Sequence, residues 1–174
     1  EIGRGVFGPK IAADGLSLWF HAPEDRLART GRLVLWQAWR HAAHEPFQEP
    51  ILAEESLNNQ PDHNLSDVTL SADGLVLCFC RTKVDPGRNS DLWLSTRPSG
   101  DASWSAPVPA GAGVNTVHGE WEPELSPNGL ELFFHSDRPN ENGGTDLWVS
   151  RRTSREADFG PAENLGPDIN SNDN

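Results

Sequence analysis

The 174-residue chain has no tyrosine, no methionine and only two cysteines. Cys78 and Cys80 stand two apart in a segment read below as one strand, where the side chains share a face and the extended backbone separates them. No disulfide is expected between them, and cysteine usage fixes no compartment. Positive charge is scarce: 14 Lys and Arg face 26 Asp and Glu, a formal charge of −12 that disfavours nucleic acid or any partner bound through a phosphate backbone. Long apolar runs are missing too. The longest, Leu75 to Cys80, is far too short to cross a bilayer, so no membrane span is expected. The chain starts at Glu1, and an N-terminal segment is expected to have been trimmed away, any signal peptide with it. There is no helical apolar stripe, Gly-rich phosphate loop, nucleophile elbow or His-Glu-x-x-His motif.

What the chain has is turns and repetition. Sixteen glycines, 14 prolines and 36% hydrophobic residues describe a turn-rich chain able to bury a core. Three segments align: Ala13-Asp14-Gly15-Leu16-Ser17-Leu18-Trp19-Phe20, Ala72-Asp73-Gly74-Leu75-Val76-Leu77-Cys78-Phe79 and Pro127-Asn128-Gly129-Leu130-Glu131-Leu132-Phe133-Phe134, spaced by 59 and 55 residues. Leu35-Trp36, Leu92-Trp93 and Leu147-Trp148 follow, with Arg40, Arg97 and Arg152 behind them. Phe47, Trp104 and Phe159 form a third series and Asn58, Asn115 and Asn170 a fourth. Residues 67 to 115 laid on 122 to 170 without a gap give 15 identities in 49 positions.

Within the third repeat, Leu130, Leu132 and Phe134 alternate with Glu131, Phe133 and His135, the period of a strand covered on both faces. The Asx-Gly pair before it supplies the positive φ of a hairpin. Each repeat predicts four strands: a around Glu124 to Ser126, b over Leu130 to His135, c over Asp146 to Arg151 and d over Phe159 to Leu165. Repeated four-stranded antiparallel units are blades of a β-propeller, an all-β fold. The blades run over 1–62, 63–117 and 118–174.

The residues also carry a family likeness. Glu122-Pro123-Glu124-Leu125-Ser126-Pro127-Asn128-Gly129-Leu130, then Ser136-Asp137-Arg138-Pro139, Gly143-Gly144-Thr145-Asp146-Leu147-Trp148 and Phe159-Gly160 through Asn164-Leu165-Gly166, resemble the WD-like repeat of TolB-type propellers. The likeness spans the chain, strongest in repeat 3 and weakest in repeat 1, where Val34 replaces the Asp before Leu35-Trp36 and the b to c loop is two residues longer. It implies a non-catalytic interaction module outside the cytoplasm, periplasmic or extracellular, without a cofactor.

Propellers close with four to eight blades, so three are half of a six-bladed ring. The chain starts and stops at nearly the same repeat phase. Bare apolar faces are therefore expected on blades 1 and 3, covered in a homodimer by two-fold stacking. A fragment of a longer propeller is the alternative.

In a propeller the d to a connections and the b to c loops emerge on one face, the expected site of a protein or glycan partner. On blade 3 the candidates are His118, Glu120, Trp121 and Glu122, then Asp137, Arg138, Asn140, Glu141, Asn142 and Asp146. Blade 2 offers His63, Asn64, Asp67, Arg81, Lys83, Asp85, Arg88 and Asp91, and blade 1 offers Glu24, Asp25, Arg26 and Arg29. Against these binding roles, Asp91 and Asp146 are expected to hold the turn into strand c, and Asp137 with Arg138 to form a local ion pair. His21, Cys80 and His135 share one place at the end of strand b. They are metal-ligand types, but successive blades stand on the order of 10 Å apart, so packing is expected and no metal. His41 and His44 are expected in solvent. A second class of function is an enzyme, a polysaccharide lyase or glycosidase propeller using acids such as Glu120 and Asp137. A third is a part whose role is to complete a ring.

Overall fold

The computed structural model describes residues 5–25, 31–84, 89–139 and 144–170. Three four-stranded antiparallel sheets follow one another along the chain, each a meander. The first holds β1 (Phe7–Ile11), β2 (Ser17–Pro23), β3 (Leu33–Trp39) and β4 (Ile51–Leu52). The second holds β5 (His63–Leu70), β6 (Val76–Lys83), β7 (Ser90–Thr96) and β8 (Val108–Pro109). The third holds β9 (Glu120–Leu125), β10 (Glu131–Ser136), β11 (Asp146–Arg151) and β12 (Glu163–Asn164). These are propeller blades 1, 2 and 3, and β5 lies between β1 and β9, so the first strands gather at the centre.

Each repeated residue has one job, done in every blade. The side-chain oxygens of Asp14, Asp73 and Asn128 accept the N–H of Leu16, Leu75 and Leu130 at 2.8, 3.1 and 3.0 Å, closing the turn into strand b. Gly15, Gly74 and Gly129 take φ of 72°, 67° and 72° there, the left-handed region that favours glycine. Arg40, Arg97 and Arg152 donate Nε to the carbonyls of those glycines at 2.8–2.9 Å. Their guanidinium groups lie 4.5–4.6 Å from the ring centres of Phe47, Trp104 and Phe159. The asparagines act as a peptide group would. Asn115 accepts Leu92 N–H and donates to Leu92 C=O, both at 2.9 Å, and Asn58 and Asn170 treat Leu35 and Leu147 alike.

Two clusters bind the blades. Trp19, Leu35 and Leu57 pack with Leu65, Leu77, Phe79 and Trp104 between blades 1 and 2, where Trp19 meets Trp104 edge-on with centroids 6.0 Å apart. Between blades 2 and 3, Cys78, Cys80 and Leu92 pack with Leu132, Phe134 and Phe159. At that seam Ala162 donates N–H to Gly113 O at 2.9 Å, and a Cβ on Gly113 would collide with the Gly160 carbonyl.

The structure departs from the sequence reading in four places. Strand a of blade 3 begins at Glu120, well before the expected Glu124. Its start is hidden because each first strand carries a bulge, marked by register shifts and by positive φ at Gly8 (56°), Asp67 (50°) and Glu122 (50°). Strand d is a two-residue remnant in every blade, flanked or occupied by Pro50, Pro109 and Pro161, which cannot donate to a ladder. A single helical turn, α1 (Glu55–Asn58), precedes blade 2 and buries Leu57. Finally, the end faces are less bare than expected. The blade 1 cluster of Phe20, Ala22, Val34 and Trp36 is covered within the chain itself. Blade 3 sets the Glu131–Arg151–Glu163 network, with bonds of 2.9 and 2.8 Å, where blade 2 has Val76, Thr96 and Val108. A polar outer face of this kind is what a terminal repeat needs for solubility.

Candidate functional site

Strand order puts the start of strand a, the end of strand b and the start of strand c at one end of each blade. There Gly119 N–H donates to Asp137 Oδ1 at 2.8 Å, so the connection into blade 3 meets its b to c loop.

Blade 3 builds a closed ion pair at this end. Glu120 lies on β9, not in a loop, and is 0% exposed. Its carboxylate accepts Thr116 Oγ1 at 2.8 Å, Thr116 N–H at 3.2 Å and Arg138 Nη2 at 2.9 Å. Burial pushes the Glu120 pKa up, against those bonds, which pull it down. Arg138 also donates Nε to Ser136 Oγ and Nη2 to Val114 O, and spreads over Phe134 and Trp148 with centroids 5.1 and 4.9 Å away. The expected Asp137–Arg138 pair does not form: Arg138 turns inward to the buried carboxylate, and Asp137 caps Gly119 and lies 4.0 Å from His118 Nδ1. Trp121 is half-buried on β9, its indole laid across Gly119 where any Cβ would collide with it. Glu122 is exposed at the bulge, 3.4 Å from His135 Nδ1. Asp146 is buried and accepts Asn164 Nδ2 at 2.8 Å, tying strand c to strand d.

Blade 2 is arranged differently. His63 faces Lys83 across the ladder, and Arg81 faces both Leu65 and Asp91. His63 Nδ1 pairs with Asp62 at 2.8 Å, which holds that carboxyl below its usual range. Asn64 leaves the loop set, since its Oδ1 accepts Leu33 N–H at 2.9 Å across the blade 1–2 seam. Arg81 is 4% exposed, with its guanidinium 3.8 Å from the Trp93 ring centre and 5.8 Å from that of Phe79. Its Nε has no acceptor. Desolvation lowers its pKa to about 10, with Asp62 acting the other way. Asp91 does not cap the turn into strand c among the described residues; it sits half-buried within β7, and burial raises its pKa against the pull of His63 and Lys83. Asp67 lies down the strand at the bulge, where Ser66 Oγ donates to it at 2.8 Å and its N–H reaches His21 Nδ1 at 3.3 Å.

On blade 1, Arg32 pairs with Glu24 at 2.8 Å and caps the carbonyls of Asn58 and Gln60. Glu24, Arg32 and Asn58 wall a cavity of about 530 Å³ that Asn59 and Pro61 also line. Arg32 escaped the sequence reading because its counterparts in the other blades, Asn89 and Gly144, are not arginines. Arg26, Arg29, Asp85, Arg88, Asn140, Glu141 and Asn142 lie outside the described residues.

His21, Cys80 and His135 are engaged separately. Cys80 Sγ donates to Glu120 O at 3.6 Å, and burial pushes its pKa up to about 12. His21 stacks on Phe7, and burial lowers its pKa against the pull of Asp67. No cluster of three or more His, Cys, Asp or Glu among the described residues is placed to hold a metal ion. Nor is any helix there long and apolar enough to cross a membrane.

No protein-family model and no curated protein matches the sequence. Solved structures do match. TolB from Acinetobacter baumannii superposes with a TM-score of 0.56 at 14% identity, over 96% of this chain and 33% of that one. Trypanosoma rangeli sialidase, in complex with the inhibitor DANA, gives 0.55 at 10% identity, over 91% and 30%. A puromycin-hydrolyzing peptidase from Mycobacterium tuberculosis gives 0.52 at 17%, over 93% and 23%. The chain spans a third or less of each. At these identities the likeness is one of fold, and the fold is that of the propeller.

Proposed function

We propose that the chain is a propeller binding module that takes a protein partner on the face where Glu120, Arg138, His63 and Arg81 lie. The observation that carries this reading is the state of Glu120. A glycosidase needs a carboxylic acid within reach of its substrate. Glu120 is fully enclosed and saturated by Thr116 and Arg138, a component of the frame. What the face offers instead is a rim of mixed charge, Asp62, His63 and Lys83 on blade 2 and His118 and Asp137 on blade 3, beside a 530 Å³ cavity, a composition suited to a polar protein surface. Peptide display on the immobilised chain, run beside a glycan array, tests it. Binders lost in His63→Ala/Lys83→Glu and kept in the lower-face variant Arg155→Ala support the reading. Polysaccharide cleavage abolished by Glu120→Gln would replace it with the enzyme.

We also propose that the ring is completed by further blades, in the simplest case from a second copy. His21 and Cys80 each bond the first strand of the next blade, whereas His135, at the same place in blade 3, turns to Glu122 of its own blade. Phe133 and Leu147, whose counterparts Cys78 and Leu92 are covered by blade 3, stand half-buried. Sedimentation equilibrium at twice 19.1 kDa supports the dimer, and a folded 19.1 kDa species overturns it. A periplasmic or extracellular location belongs to the same proposal and rests on the family resemblance.

A further inference from the structure

The two seams between blades differ at the loop face by one carboxylate. At the blade 2–3 seam, the Arg138 guanidinium spreads over Phe134 and Trp148 and closes on Glu120. At the blade 1–2 seam, Phe79 and Trp93 occupy the places of Phe134 and Trp148, and the Arg81 guanidinium spreads over them. The cation has moved two positions along strand b, since Arg81 is the counterpart of Ser136. The acid has gone: the residue facing Arg81 across the ladder is Leu65, where blade 3 has Glu120 facing Ser136.

A guanidinium carries five donors and stays charged at neutral pH. Enclosing it without an acceptor is costly, and buried charges are paired almost without exception. The Arg81 Nε is buried and donates to no described residue. Among the described residues, the charged groups around it are Asp62, His63, Lys83 and Asp91. Asp62 is held by His63, and neither Asp62 nor Asp91 comes within ion-pair distance of Arg81. The cation–π contact with Trp93 offsets part of the cost but fills none of the hydrogen-bond positions. Asn59, the counterpart of the Thr116 that gives Glu120 two of its bonds, lines the 530 Å³ cavity beside this seam.

We propose that Arg81 is the receptor for a carboxylate of a protein partner. An Asp or Glu side chain entering at the blade 1–2 seam would hold the place that Glu120 holds at the other seam. A protein is the source the structure favours, because the carboxylate that satisfies the equivalent arginine is itself a glutamate side chain. The inference names the anchor of the binding face proposed above and rests on that reading.

The test is an NMR titration of the whole chain, following arginine Nε–H resonances, with that of Arg81 assigned by its loss in Arg81→Lys. The probes are N-acetylglutamate α-amide, its glutamine analogue and glucuronate. The Arg81 signal is expected to move saturably with the glutamate probe and stay still with glutamine. Leu65→Glu, which supplies the acid internally, is expected to move the same signal and abolish the response. No movement, or one shared equally by all the arginines, overturns the proposal, and a response to glucuronate alone overturns the protein source. For loop-face peptides recovered by display, Glu→Gln at the anchor is expected to weaken binding about 30-fold or more. Peptides that bind the face without needing an acid overturn the Arg81 proposal and leave the binding module standing.

Discussion

Asn115→Ala removes one side chain and strands two backbone groups. Asn115 accepts the Leu92 N–H and donates to the Leu92 carbonyl, both at 2.9 Å, and Leu92 is fully buried in the seam between blades 2 and 3. A buried backbone group left without a partner costs about 1–3 kcal/mol, and the two groups belong to one residue, so their costs do not simply add. The expected loss is about 2–4 kcal/mol, a large share of a total stability of about 5–15 kcal/mol. At this chain length that is a fall of roughly 4–16 °C in Tm. Asn115→Asp separates the two bonds: it keeps an acceptor for Leu92 N–H but sets a carboxylate oxygen against Leu92 C=O, so it should cost at least as much as alanine above the carboxyl pKa and recover on acidification, when the protonated oxygen can donate. Urea unfolding followed by tryptophan fluorescence measures both. A loss under about 0.5 kcal/mol for Asn115→Ala would mean that water replaces the amide, and that the asparagine series is a surface feature rather than a frame component.

Phe134→Ala and Phe79→Ala, each removing a fully buried ring at a seam, are expected to cost about 3–5 kcal/mol in urea unfolding, and under 1 kcal/mol would reverse the assigned strand phase. Gly113→Ala should cost about 1–3 kcal/mol by forcing the blade 2–3 seam apart, measured the same way against Gly111→Ala, where a Cβ meets nothing but the positive φ is strained. Burial lowers the His21 pKa in the fold, so the unfolded chain takes up the proton first; stability from His21 is full above about pH 6.5 and falls as pH drops below it. Thermal melts from pH 7.5 to 5 should show that fall, and His21→Gln should flatten it. Chelator should leave the Tm unchanged, and a drop of many degrees would point to calcium on the acidic loops.

The blades were legible because their frame repeats. Asp14-Gly15, Asp73-Gly74 and Asn128-Gly129 mark the hairpins, the Leu-Trp pairs mark strand c, and the Arg and Asn series turn out to be the side chains that lock each sheet. The first strands were less legible, since a bulge breaks the two-residue period that reveals a strand and Glu122-Pro123 looks like a loop. The site was legible in location more than in chemistry. Position in the repeat put Glu120, Asp137, Arg138, His63 and Arg81 at one end of the blades. Which acid meets which arginine depends on side-chain reach: Arg138 bypasses its neighbour Asp137 to reach a carboxylate 18 residues earlier. Apolar blade faces were overestimated for a similar reason, because Glu131, Arg151 and Glu163 look unrelated in sequence and meet only when three strands are side by side.

In a chain built from copies, positions that agree in every copy serve what the copies share, and positions that disagree are where one copy does something the others do not. The asparagine, arginine and Asx-Gly series agree, and each makes its repeated bonds inside its own blade, with the Arg152 Nη2 left without a partner. The first strands disagree at equivalent places. Lys10, Thr69 and Glu124 meet at the centre, where Thr69 Oγ1 donates to Glu124 at 3.1 Å and Lys10 pairs with the same carboxylate, so their difference in charge is consumed in holding blades 1 and 2 to blade 3. Leu65 and Glu120 disagree, and so do Arg81 and Ser136. In blade 3 that difference is closed by Arg138, two residues beyond Ser136. In blade 2 it is left open, with a buried cation on an aromatic platform and no ion pair to it among the described residues. Frame positions account for the stability of the chain, and the unmatched one locates the charge that a partner has to bring.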